Sequence, residues 1–166
     1  LNRIQTSRAE HSRFLMVNAQ AKKDDKSYEN LVRRHLERYD RSDPNITMGY
    51  AVLLYQKGDR HLEEAMKWAD YSLDNRQRWE GGEDFVENMI ALYTLRSEIA
   101  TKRWMIAESN FRSDQTPELQ KESNLMRSHA KRCTREWLDY AKASNKDTDR
   151  AFKMCVSAAG DSTFCE

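Results

Sequence analysis

The sequence predicts an all-α protein of six to seven helices arranged as antiparallel helical hairpins, in a short solenoid or a helical bundle. Three observations predict it. Only five glycines and two prolines occur in 166 residues, too few for the tight turns of an all-β fold. Apolar residues recur at steps of three and four through most of the chain, and no segment alternates with period two. A hydrophobic share of 39% beside a charged share of 33%, with a mean hydropathy of -0.95, suits helices that each bury one stripe. The length allows a single helical domain, 1–166, with its own core.

The N-terminal helices occupy residues 1–43. Residues 1–22 carry Leu1, Ile4, Phe14, Leu15 and Val17 as the apolar positions of a first helix. Its stripe is sparse between Ile4 and Phe14, a stretch expected to be exposed or packed on a partner. The charged run Lys22 to Lys26 breaks it. In the second helix Tyr28, Leu31, Val32, His35, Leu36 and Tyr39 fall on one face, with Ser27 as the expected N-cap, until Ser42-Asp43-Pro44-Asn45 supplies turn chemistry.

Residues 44–79 hold the next hairpin. A third helix runs over about 46–57 and ends at Gly58, which tolerates the left-handed conformation of a helix end. A fourth covers about 61–78 behind Asp59 as cap, with Leu62, Ala65, Met66, Ala69 and Leu73 facing inward. The glycine pair in Glu80 to Asp84 separates this hairpin from residues 85–159, a long helix pair followed by a short C-terminal helix. Nothing interrupts 83–112, which predicts one helix of about seven turns. Thr116 and Pro117 then form an N-cap and first helical residue, opening a helix over 117–143. A last helix is expected over 148–159, burying Phe152, Cys155, Val156 and Ala159, and 160–166 form a polar tail.

Residues 46–74 contain Tyr50, Ala51 and Leu54 in the first helix, a Gly58-Asp59 turn, and Ala65, Ala69 and Ser72 in the second. This pattern resembles one tetratricopeptide repeat, in which small residues let two antiparallel helices approach closely. Two extra residues between the Gly-Asp turn and Ala65 bring it nearer the Sel1-like relatives. The usual closing proline is missing at Asp74-Asn75-Arg76, and no second copy is recognisable. The resemblance implies a short helix-pair solenoid, flanked by capping helices, that binds a protein or peptide partner. Tyr50, Tyr55 and Trp68 belong to this hairpin and are the expected partner contacts.

Composition and motifs argue against other classes. Twenty-eight Lys and Arg against twenty-seven Asp and Glu leave a net charge of +1. The pairs Arg33–Arg34, Lys102–Arg103 and Lys131–Arg132 sit among acids, so nucleic acid is not the expected partner. The longest apolar run, Ala51–Tyr55, is far short of the ~20 residues of a membrane span. Phosphate-binding loops, dinucleotide fingerprints and nucleophile elbows are absent from the sequence. His11, His35, His61 and His129 lie on separate predicted helices, and only His61 and Glu64 share a spacing of half a metal site. Cys133 and His129 stand one helical turn apart, a packing relation as readily as a catalytic one. The expectation is therefore no enzyme, no metal and no cofactor.

Cys165 lies in the polar tail, where a buried unpaired thiol would be out of place. A disulfide from Cys165 to Cys155 or to Cys133 is expected, leaving one free thiol and pointing to an oxidising compartment. Periplasmic, secreted or cell-envelope placement follows, with the cytoplasm as the alternative if all three thiols are reduced. Opening at Leu1 rather than Met carries the expectation of an upstream segment removed by processing. The leading expectation is an interaction or assembly scaffold, and the alternative is a structural or regulatory domain that forms a homo-oligomer through its first helix. A small-ligand or metal binder is the third class.

Overall fold

The computed structural model describes residues 2–166, with side chains described from Arg8 onward. Among them are seven α-helices and no strand: α1 (Asn2–Ala21), α2 (Asp25–Arg38), α3 (Pro44–Gln56), α4 (Leu62–Asp74), α5 (Phe85–Asp114), α6 (Pro117–Ala143) and α7 (Asp149–Ala159). Each helix packs chiefly on its neighbours in the chain, with the pairs α1–α2, α3–α4 and α5–α6 in contact and α7 lying on α6. Short connections turn each pair back on itself.

Several helix ends follow from local chemistry. Asp43 accepts from the Asn45 amide and Pro44 opens α3. The Thr116 hydroxyl accepts from the Leu119 amide ahead of α6. Gly160 closes α7 at φ 89°, a conformation that costs glycine least. Two expected caps are corrected. Asp24, not Ser27, caps α2, because its carboxylate reaches forward to the Ser27 amide at 3.0 Å. Asp59 does not cap α4 either: a 3-10 turn, Asp59–His61, intervenes, and the Asp59 carboxylate pairs with Lys102 of α5 at 2.7 Å.

The main core gathers Val32, Leu36, Tyr50, Leu54, Met66, Met89, Leu92 and Ile99 from α2 to α5, with Ala130 and Cys133 of α6. In the α3–α4 hairpin, Ala51, Ala65, Ala69 and Ser72 are fully buried. Their small side chains let α3 and α4 come close enough for Thr47 and Ser72 to share a 2.6 Å hydrogen bond. A second cluster joins Trp137 and Leu138 of α6 to Ala151, Cys155 and Cys165.

The first helix turns a different face inward from the one expected. Phe14 and Val17 are 61% and 62% exposed, Leu15 is also exposed, and Met16, Ala19 and Ser12 are buried instead. Leu1 lies outside the described residues, as does the side chain of Ile4. The reason for the rotation is polar: Ser12 Oγ meets His35 Nδ1 at 3.1 Å. Arg13 adds ion pairs to Asp40 (3.4 Å) and Asp43 (3.1 Å). Asp40 also accepts from Arg78 at 2.9 Å, which ties the first hairpin to the turn after α4. Hydrogen bonds from Ser42 and Arg78 outweigh partial burial and hold Asp40 down at about 2.

His35 is fully buried and its Nε2 meets no partner among the described residues. Burial first, and Arg13 second, lower its pKa below 6.5, against Asp40 and Asp43, which favour the charged form. The unfolded chain therefore takes up this proton at a higher pH than the folded one. The contribution is complete above pH 6.5 and is lost as pH falls from there through the folded value. Urea unfolding should give a lower stability at pH 5 than at pH 7, and His35→Leu should reduce that difference. Part of it should remain, because burial lowers the His129 pKa in the same direction.

Candidate functional site

On α4, Lys67, Trp68 and Tyr71 stand three, four and seven residues after Glu64, so the helix presents all four on one face. On α2, Arg33 and Glu37 share a face for the same reason, and Arg41 lies just beyond the helix end. These two faces enclose a groove of about 250 Å³, with Leu36 and Tyr50 also lining it. Tilted ring contacts build one wall: Tyr50 and Trp68 are 5.7 Å apart between centroids, and Trp68 and Tyr71 are 5.4 Å apart. The wall is rigid because Tyr50 is 1% exposed and packed in the core, while Trp68 and Tyr71 keep part of their rings in solvent.

Charge at the rim is mixed. Glu29 accepts from Lys57 at 2.8 Å and from Arg33 at 3.1 Å, and the Lys57 contact lowers the Glu29 pKa. Arg33 lies beside the Tyr50 phenol, which holds the guanidinium charge more firmly than usual, helped by Glu29 and Glu64. No group with hydrogen-bonding geometry meets Tyr50 Oη among the described residues. A buried hydroxyl without a partner is uncommon in folded proteins.

Of the three residues expected from sequence to meet a partner, the structure brings two together. Tyr50 and Trp68 share the groove. Tyr55 does not: five residues beyond Tyr50, it lies about 140° further round the helix. Its ring sits under the Lys102 ammonium of α5 at 5.7 Å, in a contact between hairpins. Sequence reading missed Tyr71, Arg33, Arg41 and Lys67. The spacing of Glu64, Lys67, Trp68 and Tyr71 is a signal that a face-by-face reading of α4 finds.

Two other clusters take part in the fold. Arg8, Arg13, Arg38 and Asp40 border a wider cleft between α1 and the end of α2, but Arg13 and Asp40 are ion-paired there. Cys133 is fully buried, and burial pushes its thiol up to about 11, with Arg96 pulling the other way. That thiol stays protonated at neutral pH, the form that is a poor nucleophile. Among the described residues no group of three His, Cys, Asp or Glu side chains is placed to hold a metal ion.

The disulfide joins Cys155 of α7 to Cys165 in the tail, and Cys133 is the free thiol. Both paired cysteines are fully buried. The tail is further held by Lys142, which donates to the Cys165 and Glu166 carbonyls at 3.2 and 3.1 Å. Lys131 stands 4.0 Å above the Phe164 ring, and Arg135 donates to the Phe164 carbonyl.

Fold and site together define an all-α protein of stacked helical hairpins with an aromatic-walled groove between α2 and α4. Compared with protein-family models, curated proteins and solved structures, the chain matches none of them. Among the described residues no helix is long and apolar enough to cross a membrane.

Proposed function

We propose that this chain is a non-enzymatic interaction or assembly scaffold that takes a segment of a protein or peptide partner into the α2–α3–α4 groove. The wall of contacting Tyr50, Trp68 and Tyr71 rings carries this reading. Half-exposed Trp and Tyr on a rigid backing supply large contact area at little cost in side-chain entropy. The charged rim supplies direction and register. No cofactor enters this reading.

Kinship with tetratricopeptide or Sel1-like repeats belongs to the same proposal. Its support is the burial of Ala51, Ala65, Ala69 and Ser72 where α3 meets α4, flanked by further helix pairs on both sides. The buried disulfide favours an oxidising compartment, hence a periplasmic, secreted or cell-envelope placement over a cytoplasmic one.

A random-peptide library panned on the immobilised, oxidised chain tests the reading. Selected peptides should lose affinity by about tenfold or more on Trp68→Ala, a typical effect of truncating a central aromatic contact. The circular dichroism spectrum should be unchanged. Peptides that bind the variant as tightly as the parent would rule the groove out. The exposed Phe14, Leu15 and Val17 favour a second reading, association of two copies through α1, which light scattering on the same preparations measures.

A further inference from the structure

We infer that the groove recognises the carboxylate of an acidic side chain on a peptide partner. This deepens the proposed function and rests on it. The starting point is Tyr50, which lines the groove with a side chain that is 1% exposed and whose buried Oη has no hydrogen-bond partner among the described residues. Its neighbour is the Arg33 guanidinium, which lines the same groove and can donate to that oxygen but cannot accept. Arg33 can therefore never accept the phenol hydrogen, and a second donor beside it would leave both groups unsatisfied. What the pair lacks is an acceptor.

A carboxylate fits in number and in sign. Its two oxygens can take the Tyr50 O–H and an Arg33 N–H together. Arg33 has donors to spare, since Glu29 is shared with Lys57, whose ammonium reaches both carboxylate oxygens. Arg33 is also free to adjust, with 55% of its side chain exposed. Across the whole groove three cations, Arg33, Arg41 and Lys67, face two carboxylates, Glu37 and Glu64. That balance favours one negative charge. A phosphate dianion would sit against both glutamates, and a cationic side chain would sit against Arg33. The Trp68 and Tyr71 faces then take the carbon stem that carries the carboxylate.

The test uses the oxidised full chain and a fluorescein-labelled copy of the most enriched library peptide, with fluorescence anisotropy as the readout. The enriched peptides should carry an acidic residue, and dependence on a free C-terminal carboxylate alone would overturn the side-chain assignment. Converting the acidic side chain to its amide should weaken binding about tenfold or more, as expected for a charge-assisted hydrogen bond in a confined site. Tyr50→Phe removes one oxygen and should weaken the acidic peptide by a similar factor, while leaving the amide peptide unchanged. Thermal stability of Tyr50→Phe should equal or exceed the parent's, because the phenol loses no bond. Equal binding of acid and amide, or an unchanged affinity in Tyr50→Phe, would overturn the carboxylate while Trp68→Ala still reports on the groove. Peptides indifferent to Trp68→Ala would overturn both readings.

Discussion

Arg96→Ala should destabilise the protein by about 3 kcal/mol, the range seen when a buried, charge-assisted cluster loses its central member. Arg96 lies on α5 with only 6% of its surface exposed. Its Nε donates to Asp70 of α4 at 2.9 Å and its Nη1 donates to Glu136 of α6 at 2.7 Å. One guanidinium thus joins three consecutive helices. Burial alone would favour the neutral form, but Cys133, Glu136 and Asp70 outweigh it and raise its pKa above the usual value. Asp70 and Glu136 remain 44% and 38% exposed, so both can rehydrate once the arginine is gone. That limits the loss to the lower part of the range for a fully buried pair. Arg96→Met keeps the stem and should recover part of the stability, separating packing from charge. Urea denaturation measures both variants, and a loss below about 1 kcal/mol for Arg96→Ala would show that the cluster contributes no more than a surface pair.

Removing the disulfide should cost a similar amount. A cross-link spanning a sequence separation of 10 restricts the unfolded chain by about 3 kcal/mol in the chain-entropy account. The double variant Cys155→Ala, Cys165→Ala should unfold at lower temperature than the oxidised parent. Full reduction of the parent should reproduce most of that shift. Far-ultraviolet circular dichroism at low temperature should barely change, because Ala151 and Ala158 keep α7 seated and remain fully buried. Thiol counting on unfolded protein should give one reactive group before reduction, from Cys133, and three after. Three before reduction would remove the disulfide and, with it, the support for an oxidising compartment. The tail gains the most from this bond, since outside it the segment relies on Lys142, Lys131 and Arg135 at a largely exposed surface.

The helices were largely legible in advance. The long uninterrupted run from residue 83 becomes the 30-residue α5, and α6 has the expected bounds of 117–143. The Thr116-Pro117 start is a property of adjacent residues, so a linear reading finds it. Asp24 and Asp59 show where such reading stops short. Both are good capping residues by type, yet one caps a helix and the other pairs with Lys102 on a distant helix. The site was half legible. Tyr50 and Trp68 meet because the hairpin sets α3 against α4, whereas Tyr55, on the same hairpin, lies on another face of α3.

The chain's own order of residues accounts for its all-α class, the number of helices and most of their ends, and for a tail that needs a cross-link. Those features depend on interactions within a few residues: periodic burial, capping and the scarcity of Gly and Pro. Packing settled the rest. It chose Cys155 over Cys133 as the partner of Cys165, turned Phe14 and Val17 of α1 outward in favour of Met16 and Ala19, and brought Arg33 against the Tyr50 phenol. Each of these depends on how one helix is rotated about its axis against another. A stripe of apolar residues leaves that rotation loosely defined, and close packing with hydrogen bonds such as Ser12 to His35 defines it.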